Sequence, residues 1–149
     1  MTDKMTQITQ LEKAKQLLKQ EQFTCVLIKD GNVYSSRQRG IQPLLSCYKE
    51  KKMELGCSAA DKVVGKAAAF FYVLLGTKEL YADVISKPAL EVLEKAGIPV
   101  SFGKMVPAIV NRTGDGFCPM ETAVWELENP LDAVPAVEAA IERLKNNNK

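Results

Sequence analysis

Between Ala59 and Leu75 the chain is so poor in polar residues that whatever this segment forms must lie at the centre of the fold. No charge interrupts it from Ala67 to Thr77, and Gly76 closes it. A segment of this length that is apolar on nearly every side reads as one long buried helix over 59–75. Gly65 and the alanines Ala60, Ala67, Ala68 and Ala69 keep it thin enough for close approach by neighbours. Its start, Ser58-Ala59-Ala60-Asp61, reads as a capping box, with Ser58 as cap and Asp61 in the first turn. The apolar run Ala67–Leu75 is about half of what spans a bilayer, so the reading is a core helix and no membrane.

Strands and helices alternate around this segment. Ile8, Leu11, Ala14, Leu17 and Leu18 share one face of a helix ending near Gln20, within an N-terminal region over 1–21. Phe23–Lys29, the turn Asp30-Gly31-Asn32 and Val33–Ser36 read as a β-hairpin. A short helix with Pro43 in its first turn comes before the central segment. After it the pattern predicts a strand over Glu79–Ile85, a helix from the cap Ser86 to Ala96, and a strand over Val100–Met105. A short strand over Ala108–Asn111, a helix over Pro119–Glu126, a last helix over Leu131–Lys145 and a frayed tail over 146–149 complete it. This order predicts one α/β domain over 1–149: three layers, α/β/α, around a mixed sheet with a leading hairpin.

Length, at 149 residues, suffices for a core without staples. With 20 basic against 18 acidic residues the net charge is +2, far from the basic excess of a nucleic-acid binder, so no nucleic-acid partner is expected. The polar start MTDKMTQITQ lacks a signal-peptide core, which places the chain in the cytoplasm and makes Cys25, Cys47, Cys57 and Cys118 reduced thiols. There is no histidine. Its absence removes His-based general-base catalysis, Ser-His-Asp and Cys-His triads, and every metal site that uses imidazole.

The candidate chemistry lies at helix starts. Cys118, Asp61 and Glu121 are the catalytic candidates. A thiol at a helix start gains nucleophilicity from the dipole, and nearby carboxylates oppose that. Each also has a plain structural role: Asp61 and Glu121 satisfy a helix dipole, and Cys118 packs as a small hydrophobe. Candidate ligand-binding groups are Lys62, Lys66, Arg37, Asn111 and Arg112, with Arg39 a further loop arginine. Arg112 precedes Thr113-Gly114-Asp115-Gly116, so it and two helix starts can converge on an anion. Gly65-Lys66 is not a phosphate loop: Ala60 and Ala67 stand where that motif needs Gly and Ser or Thr, and the pair reads as helix interior.

A β-hairpin, a buried helix, then β-α-β and further helices resembles the cytidine-deaminase-like fold. In that fold one helix begins His-Ala-Glu or Cys-Ala-Glu and another Pro-Cys-x-x-Cys, holding a zinc ion and a proton-shuttling Glu. Laid over those motifs, Ala59 stands at the first zinc ligand and Asp61 at the catalytic Glu. Cys118 matches the first Cys of the pair, and Glu121 replaces the second. The stretches Gly40-Ile41-Gln42-Pro43-Leu44-Leu45, Ala60–Ala69, Asn111-Arg112 and Cys118-Pro119-Met120-Glu121 resemble a family of uncharacterised bacterial and archaeal proteins grouped with that fold. The resemblance implies the fold and a homodimer and leaves the function open; the missing zinc ligands and retained polar helix starts favour a deaminase-like pocket without metal or cofactor, holding a small nucleotide-like or anionic metabolite. The other readings are a metal-independent enzyme with Cys118 as nucleophile, a non-standard zinc deaminase using Cys57, Cys118 and Glu121, and a purely structural or interaction domain.

Overall fold

The apolar centre is divided between two elements. In the computed structural model, which describes residues 8–110, 114 and 116–147, Ser58–Val64 is a strand and the helix begins only at Lys66. In chain order the elements are α1 (Gln10–Gln20), β1 (Cys25–Lys29), β2 (Asn32–Ser36), α2 (Gln42–Lys49), β3 (Ser58–Val64) and α3 (Lys66–Leu74). They continue with β4 (Glu79–Ser86), α4 (Lys87–Lys95), β5 (Val100–Val106), α5 (Pro119–Val124) and α6 (Pro130–Asn147).

These strands form one mixed sheet in the order β2-β1-β3-β4-β5. β1 runs antiparallel to both β2 and β3, and β3, β4 and β5 are parallel. The hairpin turn has Asp30 and Gly31 both at positive φ (49° and 87°), the mirror-image turn whose twist matches that of the strands.

The single helix expected over 59–75 is therefore a strand, a glycine and a helix. β3 is the central strand, hydrogen-bonded on both edges and buried on both faces from Ser58 to Asp61. Ala59 packs into one core and Ala60 into the other, both fully buried. A strand buried on both sides loses the alternation that marks a half-buried strand, and its small residues imitate a helix. The capping box falls with the helix: Ser58 Oγ donates instead to Glu79 Oε2 at 2.7 Å, and Asp61 sits within β3.

One face of the sheet carries α1, whose Ala14 and Leu18 pack on Val26, Ile28, Ala60 and Tyr81. Thr9 caps this helix, accepting from the Glu12 N–H, and Lys15 lies 4.5 Å over the Tyr81 ring. The other face carries the larger core, built from Phe70, Phe71 and Tyr72 of α3 with side chains of α2, α4, α5 and α6. Of the stretch Ala108–Asn111, Asn111 lies outside the described residues; Val110 bridges to Phe117 and the Ile109 carbonyl accepts from the Cys118 N–H at 3.1 Å. Asn146 and Asn147, expected to fray, continue α6. Among the described residues no helix is long and apolar enough to cross a membrane.

The smaller core hangs on α1, so Leu18, fully buried, is its most exacting position. Leu18→Ala is expected to destabilise the fold by about 2–4 kcal/mol, read as a lower urea midpoint with an unchanged slope.

Candidate functional site

Where the sheet changes from antiparallel to parallel pairing, a cavity of about 480 Å³ opens beside β3. Its floor and walls come from the start of β1, the second half of β3, and the first turns of α2, α3 and α5. The cavity lies at the carboxyl end of β3, the end of the strands at which open α/β sheets bind ligands, and its volume lies within the range of small-molecule pockets.

Asp61 lines this cavity and is 8% exposed. Its Oδ2 accepts from the Tyr72 hydroxyl at 2.6 Å and its Oδ1 from the Val63 N–H at 3.1 Å. Burial pushes its carboxyl up to about 7, against the pull of those two donors. The Tyr72 phenol is held well above its ordinary range by burial and by Asp61. Cys25, the cross-strand partner of Asp61, also lines the cavity, and burial and then Asp61 push its thiol up. Tyr72 reads as plain core in the sequence; its link to Asp61 exists only because the chain reverses direction at Gly65 and lays α3 back over β3.

Glu121 is 2% exposed and serves the start of α3 from the neighbouring α5. Its Oε1 accepts from the Lys66 N–H at 2.7 Å and its Oε2 from the Ala67 N–H at 3.0 Å. No side chain within α3's own cap does this work, because the cap is Gly65. A Cβ on Gly65 would stand 2.5 Å from Glu121 Cδ, so the missing side chain is what admits the carboxylate. Burial raises the Glu121 pKa, and the two amides and the Lys66 charge lower it. Lys66 closes the junction by donating from Nζ to the Trp125 carbonyl at 2.7 Å. Gly65-Lys66 thus lies at a strand-to-helix junction and not inside a helix. The phosphate-loop residues are still missing, and the amides that would cradle a phosphate already hold Glu121.

Cys118 lines the same cavity at the N-cap of α5 without a side-chain capping bond. Lys62 and Arg39 line it too, both solvent-exposed. Arg37 stands elsewhere: it stacks 4.4 Å over the Phe23 ring and donates from Nε to the Glu21 carbonyl. Asn111 and Arg112 lie outside the described residues. Cys57 is buried against Thr77, with Sγ 3.9 Å from Oγ1, so the trio Cys57, Cys118 and Glu121 does not assemble. Among the described residues no three His, Cys, Asp or Glu side chains are grouped to hold one metal ion.

Two outcomes follow from these carboxylates. Glu121 can make room for a Cβ at residue 65 only by releasing two amides, so Gly65→Ala should cost about 1–3 kcal/mol. In a Glu121→Ala background the same change should cost much less, a non-additivity read by a double-mutant cycle. Asp61 holds its proton more tightly folded than unfolded, so its contribution is present in acid and is lost as pH rises from about 4 through about 7. Asp61→Asn should flatten that part of the stability–pH curve, by at most about 4 kcal/mol, in denaturant titrations between these limits.

A family model described as a domain of unknown function, DUF1893, matches residues 13–141. Among solved structures the chain is similar to a DUF1893 family protein, TM1506, from Thermotoga maritima. The TM-score is 0.80 at 24% identity, over 93% of this chain and 96% of that one, which shows a shared fold. No curated protein matches. With most of its length under the family model and its sheet shared with TM1506, this chain belongs to the DUF1893 family.

Proposed function

We propose that the chain is a small-molecule binding module whose cavity takes a nucleotide-like metabolite bearing an anionic group. The observation that carries this is Asp61, a carboxyl buried in the wall of a 480 Å³ cavity without a cationic partner among the described residues. Burying a carboxyl this way is costly, and a ligand's donors would offset the cost. Arg39 and Lys62, on the solvent side, suit the anionic end.

The arrangement reads as cytidine-deaminase-like in its leading hairpin, mixed sheet and cavity between helix starts. The helix starts beside the cavity are those of α2 at Ile41, of α3 at Gly65 and Ala67, and of α5 at Cys118 and Glu121, while residues 59–61 lie in β3 and start no helix. Of these only Cys118 at the start of α5 offers a thiol, so the deaminase motifs find one of their three metal ligands there. A cysteine-dependent reaction is the second reading, favoured by Cys118 and Asp61 lining one cavity. It requires Cys118 to alkylate faster than free cysteine at pH 7, and an ordinary rate removes it.

Titration calorimetry against nucleosides, nucleotides and aliphatic carboxylates tests the binding reading. At least one nucleotide should bind, and Arg39→Ala should weaken it about tenfold or more, the loss of one charge-assisted contact. Absence of heat and of thermal shift with all three classes would refute it.

A further inference from the structure

We infer that the ligand meets Asp61 with an amidine-type edge, two N–H donors side by side, as on guanine or a ring-protonated aminopyrimidine. This deepens the binding reading and rests on it. The Asp61 oxygens each accept one internal bond, Oδ2 from Tyr72 and Oδ1 from Val63. An ionised carboxylate offers about four acceptor positions, so each oxygen keeps a lone pair for the cavity that Asp61 lines. A planar pair of donors satisfies both at once, and such bidentate contacts to a carboxylate are the strong ones.

The surroundings leave that task to the ligand. Tyr72 of α3 and Cys25 of β1 flank Asp61, and Asp83 of β4 adds negative charge nearby. Across the cavity stand Glu121 and Cys118 of α5, with Arg39 and Lys62 toward solvent. None of the described cations forms an ion pair with Asp61. Glu121 is already committed to two amides of α3. Against ionised Asp61 a ligand carbonyl or carboxylate would face an unpaired negative charge, whereas an N–H pair would be rewarded by the low local dielectric. A site built on such contacts strongly rejects analogues that lack them.

Donors on the ligand favour the ionised form of Asp61, so binding expels its proton. Affinity therefore rises with pH until Asp61 is ionised in the free protein, and levels off above that.

The test is calorimetry at pH 6 and pH 8 with two matched pairs: guanosine against inosine 5′-monophosphate, and benzamidine against benzoate. Inosine lacks the 2-amino group, and benzoate reverses the charge on the same ring. Guanosine monophosphate and benzamidine should win their pairs and bind roughly tenfold tighter at pH 8 than at pH 6. Asp61→Asn should remove both the preference and the pH dependence. Tyr72→Phe, which deletes an internal donor to the carboxylate, should move the pH midpoint upward and gives the same information if the Asn variant does not fold. Binding that shows no donor preference, or none of this pH dependence, overturns the inference and leaves the binding module standing. Absence of binding by every nucleotide and ring compound removes both together.

Discussion

The burial of β3 on both faces governs everything else in this molecule. A central strand flanked by β1 and β4 must present small residues where helices press closest, and Ala59 and Ala60 do so toward opposite cores. Because β3 then ends at Gly65, α3 can start at once and fold back over the strand it has just left. That reversal brings Tyr72 onto Asp61, and it points the first amides of α3 at a place where only an outside side chain can serve them. A longer helix in place of β3 would have produced neither contact.

Much of the architecture is legible in the residues, and the failures have physical causes. The hairpin at Asp30-Gly31, the cap Ser86 with its N–H partner at Ala89, and the α1 face of Ala14 and Leu18 all follow from local signals that tertiary contacts reinforce. The strand read over Val100–Met105 is β5, which runs one residue further to Val106. The segment 58–64 does not read as a strand, since double burial erases the period that distinguishes strand from helix. The site suffers the same fate. Cys118, Glu121, Asp61 and Lys62 line one cavity, though only Cys118 and Glu121 do so from a helix start. Asp61 arrives there from a strand, Arg37 is drawn away to Phe23 and Glu21, and Arg39 takes a place that spacing alone could not assign.

Two buried carboxyls close to the same cavity have opposite assignments, set by what each is bonded to. Glu121 spends both oxygens on the N–H groups at the positive end of α3, so its charge is balanced inside the fold and its job is to pin α5 across the cavity. Lys66 reinforces the pin from the other end of α5 through the Trp125 carbonyl. Asp61 has a phenol and one amide, too little to hold a full charge at neutral pH in so dry a place, and its carboxyl is pushed up to about 7 as a result.

That difference decides where a ligand's charges can go. The amides of α3 would ordinarily attract an anion, but an internal carboxylate already holds them, so an anionic group is left with Arg39 and Lys62 on the solvent side. The buried end of the cavity is the reverse: it holds Asp61, whose oxygens take one internal donor each and no cationic partner among the described residues. A molecule with its anion outside and its N–H groups inside satisfies both ends, and one turned the other way satisfies neither. On the binding reading proposed above, that polarity would orient a ligand with its anionic group toward solvent and its N–H groups toward Asp61.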